Sequence, residues 1–219
     1  MKIYDITRTI TTESCVWPGD APFSFEHGLR LDAGDSVNLT TITLSPHTGT
    51  HADAYYHYEP DGPHPAQMPL DAYMGPARVV RVARPDGPLT PADFDHVDLT
   101  GAQRLLVRSH VSDLDDRTWP ELFPYLSVEL VEWLAGLGVV LVGLDSPSVD
   151  ALDSTTLPCH HALHRHGMVN LESLCLRDVP DGAYELIALP LRLGQVCGSP
   201  VRAVLRTLPV QPESWRKSS

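Results

Sequence analysis

The 219-residue sequence lacks any apolar run approaching the ~18 residues that a membrane-spanning helix needs. Its first residues, Met1-Lys-Ile-Tyr-Asp, carry charges where a secretory signal peptide would have an apolar segment. Basic residues are also scarce, since 16 Lys and Arg face 28 Asp and Glu, a net charge of −12. Nucleic acids and anionic membranes both select basic surfaces. We therefore expect neither a nucleic-acid partner nor a membrane partner.

Cysteine is present but never in a Cys-x-x-Cys pair. The four cysteines, Cys15, Cys159, Cys175 and Cys197, are scattered along the chain. Without a secretory leader, such cysteines are expected to be free thiols in a reducing compartment, and we expect a cytoplasmic protein. The Gly-x-Ser-x-Gly elbow of serine hydrolases is also missing, which argues against a serine nucleophile.

The length and the ordinary apolar content of 42% predict a single domain over residues 1–219. Two helices are expected. The first follows the N-cap Ser127, has an apolar stripe over residues 128–137 and ends at Gly136 and Gly138. The second spans residues 157–166 and stops before Gly167. Runs of β-branched and apolar residues predict strands at 2–7, 36–45, 77–83, 104–109, 139–144, 185–193 and 201–208. This pattern indicates an α/β domain with a mixed sheet and few helices.

One short window concentrates potential metal ligands: His47-Thr-Gly-Thr-His51-Ala-Asp53-Ala-Tyr-Tyr-His57. Imidazole and carboxylate groups together suit Zn²⁺ or a similar divalent ion. In an extended segment His51 and Asp53 would point to the same side, and a turn at Gly49 could bring His47 to the same ion. The alternative reading is a polar, hydrogen-bonded turn. The window favours metal binding, because histidine is too uncommon for this grouping to arise readily by chance.

A second window, Pro158-Cys159-His160-His161-Ala-Leu-His164-Arg-His166, lies on the second predicted helix. Helical spacing puts His160 and His164 on one face, but spacing alone does not choose a ligand among these histidines. Glu172 follows the helix stop and could fold back toward it. Each of these residues could equally be an ordinary surface side chain.

The first window resembles the His-x-Gly-Thr-His-x-Asp-x-x-x-His motif of the metal-dependent cyclase/hydrolase family. Further similarity, to the bacterial arylformamidase subgroup of that family, extends along the chain. It is carried by the segments Val16-Trp17-Pro18-Gly19-Asp20, Gly143-Leu-Asp145-Ser-Pro-Ser148, Tyr184-Glu-Leu-Ile-Ala-Leu-Pro-Leu-Arg-Leu193 and Ser199-Pro-Val-Arg-Ala-Val-Leu205.

The resemblance implies a swivelling β/β/α-type fold, a homodimer and a binuclear site with two Zn²⁺ per chain, which Mn²⁺ could replace. It implies five metal ligands, with Asp53 and Glu172 each touching both ions: His47, His51, Asp53, His160 and Glu172. His57 would be the catalytic acid/base, and Trp17 would line the substrate pocket. The family often has proline two residues before the last motif histidine, whereas this chain has Tyr55-Tyr56 there. We expect this difference to reshape the pocket wall.

The implied activity is hydrolysis of the aryl formamide N-formyl-L-kynurenine to L-kynurenine and formate by a metal-activated water, a step of tryptophan degradation. A related hydrolase of another amide, of the isatin type, and a small-metabolite cyclase remain alternatives. A non-catalytic structural zinc protein is the alternative from a different class. Structural zinc sites favour closed, Cys-rich ligand sets, so histidine and carboxylate ligands favour catalysis.

Overall fold

A computed structural model describes residues 1–208 of the chain. Its helices are α1 (Val128–Gly136) and α2 (Pro158–Arg165). Its strands are β1 (Ile3–Asp5), β2 (Ser24–Leu29), β3 (Leu39–Thr43), β4 (His51–Asp53), β5 (Met74–Arg81), β6 (Gly87–Leu89), β7 (Arg104–Arg108), β8 (Pro124–Leu126), β9 (Leu141–Leu144), β10 (Val169–Glu172), β11 (Gly182–Ile187), β12 (Gly198–Pro200) and β13 (Val204–Thr207). Short 3-10 helices lie at Leu31–Ala33, Tyr55–His57, Pro65–Gln67, Leu70–Tyr73, Pro91–Phe94 and His110–Asp113.

A nine-stranded mixed sheet organises the described residues, in the order β1-β13-β11-β5-β7-β9-β10-β4-β12. Strands β5, β7, β9 and β10 are parallel to their neighbours within this group, and the flanking pairs are antiparallel. The parallel centre is apolar because both of its faces are covered, and every residue of β9 is buried. The predicted mixed α/β fold with few helices is confirmed.

The two faces of the sheet have separate hydrophobic cores. Leu105 and Val142 face the core that contains the apolar sides of α1 and α2, whereas Leu106 and Leu141 face the other core. This alternation follows from the two-residue period of a strand. No helix within residues 1–208 is both long and apolar enough to cross a membrane.

Both predicted helices form. The Ser127 side chain accepts a hydrogen bond from Leu130 N at the start of α1, and Gly138, with φ +84°, allows the chain to turn after it. Helix α2 is followed by Gly167 with φ +64°.

Several predicted strands are shorter than expected, such as 2–7 and 201–208, which form only β1 and β13, and two others differ for a clear reason. The segment 185–193 pairs only as far as Ile187, because Pro190 has no N–H to continue the ladder. The segment 36–45 forms β3, which pairs only with β2 in an exposed hairpin.

Candidate active site

Strands β4 and β10 place three of the predicted ligands together. His51 and Asp53 are two residues apart on β4, and Glu172 on β10 lies directly across the ladder from His51. Because the side-chain period of a strand is two, all three point to one face, while Ala52 and Leu171 enter the hydrophobic core on the other. His51 and Glu172 come together only because these strands pair in this register.

His160 reaches the same place from helix α2. Asp150 accepts hydrogen bonds from the backbone N–H groups of Cys159 and His160 at the first turn of the helix. His160 Nδ1 also donates to Asp150 Oδ2 at 2.7 Å. This contact turns His160 Nε2 toward Asp53 Oδ2 at 3.3 Å and Glu172 Oε1 at 3.6 Å. A carboxylate that orients a histidine in this way is typical of metal sites.

His47 completes the cluster from the loop before β4. Gly49 has φ +65°, a conformation that glycine adopts without strain, and its carbonyl accepts a hydrogen bond from His51 Nδ1 at 2.9 Å. The turn brings His47 Nδ1 to 2.9 Å from Asp53 Oδ1. Gly198, at the start of the neighbouring strand β12, leaves room for the ring because it has no side chain. A Cβ at this position would lie only 3.0 Å from His47 Cε1.

The donor set fits a divalent metal. His51 Nε2 and Asp53 Oδ1 are buried, and neither makes a hydrogen bond of good geometry, although Asp53 Oδ1 lies 2.9 Å from His47 Nδ1 and 3.4 Å from His51 Nε2. Unpaired buried polar atoms carry a free-energy cost that a cation between them would remove. His47, His51 and Asp53 each offer a donor atom within 4.8 Å of the others, and Asp53, His57 and His160 form a similar group. Imidazole and carboxylate donors are the ligands that Zn²⁺ and related ions take.

Close contacts between the histidines and the carboxylates decide the charges of the metal-free site. Burial alone lowers the pKa of a histidine, but the nearby Asp53 carboxylate outweighs it and raises the pKa of His47 to about 10 and that of His51 to about 9. Burial raises the pKa of Asp53, yet the nearby His160, His47 and His51 hold it well below the usual value. In the metal-free protein at neutral pH, His47 and His51 are therefore protonated, and their positive charges balance the nearby carboxylates.

These shifts predict opposite pH dependences for stability and for metal affinity. The pKa of His47 is 6.5 in the unfolded chain and about 10 in the metal-free fold, so its contribution to stability is full below pH 6.5. That contribution is lost as the pH rises through about 10. The Tm of chelator-treated protein should therefore fall between pH 6.5 and about 10. Over the same pH range the Zn²⁺ affinity should rise, because fewer protons compete with the ion for the ligands. Thermal unfolding of stripped and metal-loaded protein, with metal titrations at each pH, measures both. A stripped-protein Tm that rises over this range would contradict the assignment.

Sequence reasoning missed Asn170 and Val149, which hold the carboxylates in place, and Asp150, which orients His160. Asn170 donates to Asp53 Oδ2 at 2.7 Å and to Glu172 Oε1 at 3.0 Å, and Val149 N donates to Glu172 Oε1 at 3.0 Å. Asn170 is two residues from Glu172, so a predicted strand at this position would have put both side chains on one face. Asp150 had no comparable signal in the sequence.

Replacing Asp150 should weaken metal binding without removing a ligand. Asp150→Ala deletes the acceptor that orients His160, and loss of such a partner costs about 10- to 100-fold in metal affinity. Asp150→Asn keeps an acceptor for His160 Nδ1 and should lose less. Competition with a chromogenic chelator gives the affinities. Asp93→Ala is the matched control, because Asp93 also accepts a backbone hydrogen bond at the start of a helix, the 3-10 helix Pro91–Phe94, but pairs with Arg84, outside this cluster. Equal affinities for Asp150→Ala and Asp93→Ala would show that orientation of His160 is unimportant.

His57 lies beside the cluster and is accessible to solvent. It ends the 3-10 helix Tyr55–His57, and its ring centroid is 4.2 Å from that of His47 and 6.0 Å from that of His160. His161 and His164 lie outside the cluster, where their Nδ1 atoms approach Glu59 Oε1 at 2.8 Å and 3.4 Å. The structure therefore separates His160 from its neighbours, a choice that helical spacing left open.

A cavity of about 490 Å³ opens onto the cluster. Trp17 lines it, and Trp119 stands against Trp17 with ring centroids 5.6 Å apart in an edge-to-face pair. Trp119 gave no signal in the sequence, because it is far from Trp17 along the chain. The two indoles form an apolar wall of this cavity, and histidines and carboxylates form its polar floor, which suits a substrate with an aromatic ring.

Two further observations correct or extend the sequence analysis. The expectation that Tyr55-Tyr56 reshapes the pocket wall is wrong, since neither residue lines the cavity. Tyr55 is buried in the core, where its hydroxyl donates to Met168 O and its ring packs against His164. All four cysteines are free. Cys197 lies at the cavity with Sγ 3.2 Å from His47 Nε2, and hydrogen bonds from His47 and His57 lower the pKa of its thiol to about 6.

A mixed α/β fold that directs buried histidines and carboxylates into an apolar pocket is the architecture of a metal-dependent hydrolase. Comparison with known proteins gives the family. The model of the Cyclase family matches residues 4–151, and the chain belongs to this family.

Relatives of known or proposed activity cover nearly the whole chain. The chain is 42% identical to a kynurenine formamidase from Bacillus cytotoxicus, over 93% of this chain and 97% of that protein. Among solved structures, isatin hydrolase A from Labrenzia aggregata bound to benzyl benzoate is 26% identical with a TM-score of 0.80, over 94% of this chain and 93% of that one. A potential metal-dependent hydrolase with cyclase activity is 25% identical with a TM-score of 0.79, over 93% and 96% of the two chains.

Proposed function

We propose that this protein is an arylformamidase that hydrolyses N-formyl-L-kynurenine to L-kynurenine and formate. The observation that carries the proposal is the 42% identity to a kynurenine formamidase over almost the full length of both chains. The cavity adds independent support, since its tryptophan wall suits the aryl ring and its polar floor suits the formamide. We propose that residues 1–219 serve this reaction as one domain.

We propose that the site holds two Zn²⁺ ions, with Mn²⁺ as the alternative. The two oxygens of each carboxylate face different histidines, which supports a bridging role. Asp53 Oδ1 lies toward His47 and His51, and Oδ2 lies toward His160. Glu172 Oε2 lies toward His51, and Oε1 lies toward His160. His47 and His51 would hold one ion and His160 the other, and Asp53 and Glu172 would contribute to both. When bound, the metal supplies a Lewis acid that makes water acidic and polarises the formyl carbonyl.

His57 has the position required of a proton shuttle. It is exposed to the cavity, stands beside His47 and His160, and is not needed to complete either proposed ligand set. The leaving group is an aniline nitrogen, which must gain a proton as the C–N bond breaks. A histidine suits this step, since imidazole accepts and releases protons near neutral pH. Trp17 and Trp119 would orient the substrate ring so that the formyl group faces the polar floor.

We further propose a homodimer in the cytoplasm. The hairpin β2–β3 supports a dimer, because Phe25, Leu39 and Ile42 are 46–57% exposed on it and such apolar surface favours association. The free thiols support a reducing compartment. Light scattering of the wild type and of an Ile42→Ser variant tests the dimer, which the substitution should weaken.

An isatin-type amide hydrolase is the second candidate, and the structural similarity to isatin hydrolase A favours it. A purely structural zinc site is disfavoured, since the donors line an open cavity.

A continuous assay separates these candidates. N-formyl-L-kynurenine, isatin and other formylated anilines are compared on the same preparation, before and after chelation and after adding back Zn²⁺. The proposal expects formate release from N-formyl-L-kynurenine that chelation abolishes and zinc restores. Turnover of isatin alone would replace the proposed substrate, and turnover of neither by metal-loaded protein would reject both.

A further inference from the structure

A thiol lies at the edge of the candidate active site, on the side of His57. Cys197 immediately precedes β12, and its carbonyl accepts a hydrogen bond from Ala54 N at 3.0 Å, which fixes the backbone there. Its Sγ atom is 3.2 Å from His47 Nε2. Cys197 lines the cavity and is half-buried, so a small ion can reach it from solvent.

Three donors of this region lie close enough to share one cation. One donor atom from each of His47, His57 and Cys197 lies within 4.8 Å of the others. In a tetrahedral zinc site, sulfur and nitrogen ligands are separated by about 3.6 Å, so the observed 3.2 Å needs only a small shift. Thiolate and imidazole together select soft or borderline ions over Mg²⁺ and Ca²⁺.

This group shares the His47 ring with the ligand sets proposed above but uses the other nitrogen of that ring. Those sets use His47 Nδ1, which faces Asp53, whereas Nε2 of the same ring faces the thiol. Neither Cys197 nor His57 is needed to complete them. A cation beside Cys197 would therefore be additional, and it would occupy the position from which His57 reaches the substrate.

We propose that Cys197 and His57, with His47 Nε2 as a third donor, form an additional binding site for a thiophilic divalent cation, and that excess Zn²⁺ at this site inhibits the enzyme. The cation takes Cys197 as the thiolate, so an S–H bond is broken only in the fraction that is still protonated, and the Nε2–H bond of His47 is broken. Cation–sulfur and cation–nitrogen bonds form, the displaced protons go to solvent and nothing is oxidised. The inhibition rests on the proposed role of His57, whereas the binding rests on the donors alone.

The binding is tested on metal-loaded protein titrated with Cd²⁺, with the ultraviolet charge-transfer band of a cadmium–thiolate bond as the signal. The wild type should develop the band without losing its resident metal, and Cys197→Ser should not. Cys15→Ser and Cys175→Ser are matched controls that should keep the band. His57→Ala should bind Cd²⁺ at least about tenfold more weakly, as for a lost metal ligand. A band that persists in Cys197→Ser, a band absent from the wild type, or a band that appears only as resident metal is displaced would overturn the proposal.

The inhibition is tested by adding Zn²⁺ in excess of the resident metal during turnover. Each variant is compared with its own activity before the addition, so a change in basal rate does not matter. Activity should fall in the wild type and in Cys175→Ser, and it should be insensitive in Cys197→Ser. Equal inhibition of all three would overturn the inhibitory role. If the protein turned over no amide at all, the cadmium titration would still decide whether the site exists.

Discussion

Replacing Asp53 with alanine is expected to abolish metal binding and activity together. Among the described residues, Asp53 is the carboxylate within ion-pairing reach of all three proposed histidine ligands, at 2.9 Å from His47, 3.4 Å from His51 and 3.3 Å from His160. Its loss removes a ligand from both proposed metal positions. It also leaves the histidines without their counter-charge, which should destabilise the metal-free fold by about 3 kcal/mol.

Elemental analysis and thermal unfolding of Asp53→Ala test these effects separately. Asp53→Asn keeps the volume but can offer only one oxygen, so it should fold better than the alanine variant and still bind less metal than the wild type. Asp113→Ala is the control, since Asp113 is an exposed carboxylate paired with Arg108. It should retain the full metal content. An Asp53→Ala protein that keeps two ions per chain would show that Asp53 does not bridge them.

Replacing His57 with alanine is expected to lower kcat by about 10²- to 10⁴-fold while the resident metal stays bound. The reason is that His57 stands beside the donor cluster with its side chain exposed to the cavity, so its loss removes a proton shuttle and no ligand of either proposed set. The variant should fold normally, because an exposed residue at the end of a 3-10 helix contributes little to the core.

The measurements for His57→Ala are kcat, KM, metal content and the pH–rate profile. A residue that only supports the structure would change stability or metal content, whereas a proton shuttle changes kcat and removes one limb of the pH profile. His161→Ala is the matched control. It sits next to a proposed ligand in the sequence, but its side chain contacts Glu59 instead, and its kcat should stay near that of the wild type. Full activity of His57→Ala would exclude the proposed role.

The local part of the site could be predicted from the sequence because its geometry is local. His51 and Asp53 share a face through the period of a strand, and Gly49 supplies a turn that needs no distant partner. The apolar stripe of α1 and its N-cap Ser127 are local in the same sense, and the structure reproduces both.

The strands that carry the site were not predicted. β4, β10 and β12 have three or four residues each, and polar side chains interrupt their apolar pattern. Such segments become strands because long-range pairing within the sheet outweighs their weak local preference. The exposed hairpin shows the converse, since a strongly β-type segment at 36–45 remained outside the main sheet.

The sequence by itself determined the class of chemistry, through a histidine and carboxylate window whose spacing suits a divalent metal, and the mixed α/β character of the fold. Only the tertiary structure decided which histidine of the second window joins that window. Asp150 turns His160 inward, while Glu59 holds His161 outside. The tertiary structure alone also brings Trp119 against Trp17 and Cys197 against His47. The reason is physical: periodicity governs neighbours a few residues apart, whereas contacts across a hundred residues depend on strand pairing and packing that no local pattern encodes.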